Sequence, residues 1–110
     1  MTTHTLNDLQ RLQQLYAMGF NNPLIDQVLR QTIEDQVARD ENDLREIDST
    51  LRAYEVQSGL SSTEFWARYQ AGKAPDTSDS LEWQTFYKMR QRILARLFSL
   101  RETVSDLNSP

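Results

Sequence analysis

Between Pro23 and Ser58 the chain has no glycine and no further proline. At ~3.6 residues per turn and ~1.5 Å per residue, such a run forms one helix of about ten turns and roughly 50 Å. Asn22 precedes it, and an Asn side chain accepts from the orphan amides of a first turn. Pro23 takes the first helical position, where a missing N–H costs nothing. Gly59 follows and can adopt the left-handed conformation that ends a helix. A helix longer than a small globule is wide must lie along another long helix or along a partner chain. The expected fold is therefore all-α. The long helix pairs antiparallel with a C-terminal helix in a hairpin or bundle, and short N-terminal and bridging helices complete it.

With 110 residues the whole chain, 1–110, is expected as a single helical domain. Its parts are an N-terminal arm or helix (1–21), the long helix (22–58), a short aromatic helix (61–71) and a last helix (79–107). In the first part Leu6, Leu9, Leu12, Leu15 and Tyr16 recur at three- and four-residue steps, and Thr5 with Asp8 resembles a capping box. Within the long helix, Val37, Leu44, Ile47, Leu51 and Tyr54 form a coiled-coil-like seam, a candidate contact for a homodimer. Asp40 falls where that seam should continue. With Glu41, Asn42 and Asp43 it reads as a solvated acidic patch, a local break in the contact.

Gly59-Leu60-Ser61-Ser62 stops one helix and starts the next, with Ser61 and Glu64 in S-x-x-E capping spacing. A short helix over 62–70 follows, then a polar loop containing Pro75. Asp79 with Glu82 is the expected cap of the last helix. Phe65, Trp66, Tyr69, Trp83, Phe86 and Tyr87 gather around that loop. They make either a small core, where the short helix folds back, or an anchor patch for a partner, since Trp and Tyr dominate interface hot spots. Lys88, Arg92 and Arg96 lie four apart and form one basic stripe. That stripe pairs with the acidic long helix, contacts phosphates of nucleic acid, or meets an acidic protein partner.

Catalytic constellations are absent from the reading. His4 is the only histidine and no cysteine exists, which excludes thiolate or His-rich metal sites and disulfides. The three glycines all fall at expected helix ends, leaving no phosphate-cradling loop. No enzyme activity and no cofactor are expected. The net charge of −4 gives the whole molecule no bias toward nucleic acid or anionic lipid. Met1-Thr-Thr-His-Thr lacks a basic region followed by an apolar run, so no signal peptide is expected. No window approaches ~18 consecutive apolar residues, so no membrane span is expected and the cytoplasm is the expected location.

Residues 22 to 95 resemble a group of small helical prokaryotic proteins with the pattern GMSSEEFYxRFxxGELGDDxDFxEWxxLYxMY after a long charged helix. Gly59-Leu60-Ser61-Ser62-Thr63-Glu64-Phe65 matches its opening, and Glu82-Trp83 with Tyr87 and Met89 its close. The group is that of antitoxins encoded beside a small toxin, often of ribonuclease type. The resemblance implies a non-catalytic chain that binds and neutralises a cognate toxin. Where the pattern is acidic, this chain carries Lys73-Ala74-Pro75-Asp76-Thr77. If that loop touches the toxin, its specificity differs. Two alternatives carry no such resemblance: a nucleic-acid-binding regulator using the basic stripe, and a structural coiled-coil assembly protein.

Overall fold

A computed structural model describes residues 2–19 and 23–108, with the backbone alone at 2–6, 12 and 16. These residues form four α-helices and no strand: α1 (Thr2–Ala17), α2 (Pro23–Ser58), α3 (Ser62–Gln70) and α4 (Ser78–Asn108). The fold is the expected all-α hairpin, with α2 packed along α4 and α2 unbroken over its whole span. No helix among the described residues is long and apolar enough to cross a membrane. The side chains of His4, Leu6, Leu12 and Tyr16, the turn at Phe20-Asn21-Asn22 and the final Ser109-Pro110 lie outside the described residues.

Two helix starts differ from expectation. α1 is already helical at Thr2, so Thr5 lies within the helix rather than at its N-terminus. α4 begins at Ser78, and its cap is Thr77 rather than Asp79. The Thr77 hydroxyl accepts from the Ser80 amide at 3.1 Å, and its carbonyl accepts from Leu81 N–H at 3.1 Å. Thr77 and Asp79 are both acceptable cap types, and the Ser80 and Leu81 amides bond to Thr77.

The chain divides into two compact units, Met1–Glu41 with Arg96–Pro110, and Asn42–Ala95. α2 and α4 contribute a segment to each. In the first unit, Leu9 of α1, Leu29 and Ile33 of α2, and Leu100 and Leu107 of α4 form one buried cluster, with Val37 and Val104 against it. Each such side chain, fully buried, contributes about 1.5–3 kcal/mol. Polar ties reinforce the cluster: Gln13 Nε2 donates to Thr103 Oγ1 at 3.1 Å, and Arg30 Nη1 donates to Asn108 Oδ1. The exposed Glu41–Arg101 pair at 3.2 Å adds less than about 1 kcal/mol, so packing dominates here.

Asp40 overturns the solvated-patch expectation. Its side chain is fully buried. Arg96 grips it with both arms, Nε to Oδ2 at 2.8 Å and Nη2 to Oδ1 at 2.6 Å, and Gln36 Nε2 donates to Oδ1 at 2.8 Å. The carboxylate occupies the seam position because α4 supplies its counter-charge there. A buried carboxylate without such partners would be prohibitively costly.

In the second unit α2 and α4 again run antiparallel. Arg90 Nε donates to Asp48 Oδ1 at 2.7 Å, and Tyr54 Oη donates to Glu82 Oε2 at 2.7 Å. Ile47, Leu51, Phe65, Trp83, Tyr87 and Ile93 are the unit's buried apolar residues.

Candidate partner-binding site

The site lies in the second unit and starts from the α2–α3 corner. Gly59 ends α2 at φ +77°, with its amide bonded to the Glu55 carbonyl at 2.9 Å. Ser61 then caps α3: its Oγ accepts from the Glu64 amide at 3.1 Å and donates to Glu64 Oε1 at 3.2 Å. Glu55 reaches from the last turns of α2 to accept the Ser62 amide at 2.7 Å. Three of the orphan donors and acceptors at this corner are thereby satisfied locally, which fixes the angle at which α3 leaves α2.

That angle sets Phe65 and Trp66 against α4. Phe65 and Trp83 stack at 4.0 Å between centroids with their planes 4° apart. Tyr54 stacks on the same Trp83 at 5.7 Å. Along α3, Phe65 meets Tyr69 at 6.1 Å and Tyr69 meets Trp66 at 5.8 Å. Trp66 closes the series on Tyr87 at 5.0 Å, with Lys88 Nζ 5.8 Å from the Trp66 ring. Each ring pair is worth about 0.5–1.5 kcal/mol beyond its buried area, so the series fixes α3 on the hairpin. The Trp83 indole N–H is satisfied by Ser62 Oγ at 2.9 Å.

Of the six aromatic candidates, Phe65, Trp83 and Tyr87 are buried, and Trp66, Tyr69 and Phe86 are half-buried. The first three serve the core, and a partner can reach only part of the others. Phe86 takes no part in the ring series among the described residues. Tyr54, read from sequence as a seam residue, belongs to the series. Its hydrogen bond to Glu82 pushes the phenol up to about 12, helped by burial and by the negative charges of Glu82 and Asp79.

Among the seam candidates, Ile47 and Leu51 are buried inside the single chain, and Val37, Leu44 and Tyr54 are half-buried. Of the basic stripe, Arg96 is engaged by Asp40, Lys88 stands over Trp66, and Arg92 is exposed. The stripe therefore does not present three equivalent cations to a phosphate backbone. The Asp40–Arg96–Gln36 cluster was missed by reading the sequence. Its signals were a charged residue at an otherwise apolar seam position and the expected pairing of the basic stripe, which includes Arg96, with the acidic long helix.

After Ala71 the chain leaves α3 through Gly72 at φ +71°. Gly72 N–H bonds the Tyr69 carbonyl at 3.1 Å, and Lys73 N–H bonds the Arg68 carbonyl at 2.8 Å. This paired pattern is a Schellman turn, and it aims the 73–77 loop back along α3. Between that loop, the end of α2 and the start of α4 opens a cleft of about 340 Å³. Tyr54, Phe65 and Trp83 line its depth, while Arg68, Lys73 and Pro75 stand exposed at its lip. The size lies at the low end of the ~300–1,000 Å³ of ligand clefts. The half-buried Tyr54 and Leu60 and the exposed Pro75 offer an apolar surface, and Arg68 and Lys73 offer hydrogen-bond donors.

Comparison with known proteins finds no matching family model, no similar curated protein and no similar solved structure.

Proposed function

We propose that this chain is an antitoxin-like protein-binding module that neutralises a cognate toxin, of ribonuclease type, by direct binding and without catalysis of its own. One observation carries the reading. The stretch that bears the antitoxin-like pattern, Gly59 to Met89, folds into a single aromatic-stacked element with an open cleft on it. The lip of that cleft is the Lys73-Ala74-Pro75 loop, the place where this chain departs from the acidic pattern. A binding module needs a rigid platform and a variable edge, and these residues supply one of each.

The same reading places the chain in the cytoplasm as a homodimer. Leu24, Val28 and Phe98 of the first unit support the second part, since they are large apolar side chains left exposed. Co-expression with the protein encoded beside it is the decisive test. The expected result is growth arrest by the neighbour alone, relief by this chain, and co-purification of the two. A harmless neighbour, or a pair that never co-purifies, refutes the proposal.

A further inference from the structure

The cleft beside the 73–77 loop differs chemically from the rest of this acidic chain. Its accessible apolar lining is the half-buried Tyr54 and Leu60 and the exposed Pro75, backed by the buried Phe65 and Trp83 at 3% and 5% exposure. Arg68 and Lys73 are exposed on one lip, and neither forms an ion pair among the described residues. Elsewhere, Arg90, Arg96 and Arg101 are each matched to a carboxylate. Asp79 of α4 also lines the cleft, beside the Tyr54–Glu82 hydrogen bond, so its cations come from α3 and the following loop and its carboxylate from α4.

We infer that this cleft takes a segment of the protein partner that presents one apolar side chain beside a carboxylate. The inference rests on the binding-module reading and gives it a partner chemistry. The apolar side chain lies against Tyr54, Leu60 and Pro75, the apolar lining that is still accessible, where burial of both surfaces drives docking. The carboxylate meets Arg68 and Lys73 and is kept off the Asp79 side by like charge, which fixes the direction of the bound segment. A nucleic-acid strand fits poorly, because successive phosphates following the cleft would run against Asp79 and Glu82. A deeply apolar ligand without charge would leave the two cations unused and gain no orientation.

Two assays test this. The first measures affinity for the neighbour-encoded protein with wild type, with Arg68→Glu/Lys73→Glu, and with Arg45→Glu/Arg52→Glu as a charge-matched control on exposed α2 positions of the same unit. The expected result is a loss of at least ~10-fold for the first variant and near-wild-type affinity for the control. Retained affinity in the first variant, or equal loss in both, overturns the inference while leaving the module reading intact. Failure of wild type to bind refutes that reading, and the second assay then decides the cleft by itself. It titrates acetyl-Leu-Asp-Phe-Glu-amide into labelled protein and follows the Trp83 indole N–H by NMR. A saturable shift is expected, weakened several-fold when Asn and Gln replace the probe's acids and lost in Arg68→Glu/Lys73→Glu. No saturable shift, or equal binding of charged and neutral probes, overturns the proposed chemistry. Thermal melts accompany both assays, and the exposed lip positions predict unchanged stability.

Discussion

Replacing Arg96 by Met should be among the most damaging single changes available in the first unit. The substitution keeps the aliphatic stem and removes the guanidinium, leaving the Asp40 carboxylate with the Gln36 amide as its remaining donor. Asp40 has 0% side-chain exposure, so water cannot replace the two lost charge-assisted bonds. Breaking a buried pair in this way costs about 3–5 kcal/mol. Asp40→Leu should cost less, because the Arg96 side chain is 30% exposed and its released guanidinium regains solvent. The double variant Asp40→Leu/Arg96→Met removes both charges but strands Gln36. The Gln36 Oε1 is already buried without a partner among the described residues, and its amide would then lack one as well. That residual penalty is about 1–3 kcal/mol. Adding Gln36→Leu should remove it and bring the triple variant to within about 1 kcal/mol of wild type, or above it. Urea unfolding with a shared slope reads each step, and at ~1–3 kcal/mol per molar the Arg96→Met loss shifts the midpoint by at least about 1 M. The reasoning is refuted if Arg96→Met lies within about 1 kcal/mol of wild type, or if the triple variant is no more stable than Arg96→Met.

Phe65→Ala removes a ring buried between Trp83 and Tyr69 and should cost about 3–5 kcal/mol in the same unfolding assay, whereas Trp66→Ala, half-buried, should cost less. Equal losses would mean that α3 is not held through Phe65. Tyr54 gives a pH signature. Its neutral phenol donates to Glu82, and the folded value of about 12 lies above the ordinary 10.0, so its contribution is complete below pH 10.0 and is lost as pH rises through about 12. Phenolate absorbance should show a late-titrating component that Glu82→Gln moves down toward the ordinary 10.0. A Glu82→Gln profile identical to wild type would refute the assignment.

What could be read from sequence follows how local each signal is. α2 was legible because a helix without internal Gly or Pro needs no distant information, and α3 because its stop, cap and aromatic face lie within a dozen residues. The α4 start was misplaced because Asp79 with Glu82 has capping-box spacing, whereas the bonds from the Ser80 and Leu81 amides go to Thr77. Asp40 was misread for the opposite reason. Its neighbours in sequence are charged and exposed, and its true partner, Arg96, is 56 positions away. The aromatic window was visible as a group, but its division into buried Phe65, Trp83 and Tyr87 and accessible Trp66 and Tyr69 depends on how α3 meets α4. The cleft itself had no sequence signature, since a Schellman turn at Gly72 and the return of the loop create it.

The two polar clasps between α2 and α4 in the second unit govern how this protein can change in length. One extra residue between Asp48 and Tyr54 would swing everything beyond it by about 100°. Tyr54 would then face away from both Glu82 and Trp83 while Asp48 still held Arg90. A matching insertion in α4 could not repair this, because it would turn Trp83 away from Phe65 as well. Growth and shrinkage are therefore channelled into residues 73–76, where no helical phase has to be kept and lengthening is cheap. Residues 73–75 also line the cleft, so within the second unit the stretch with room to drift in size is one that shapes the cleft's opening.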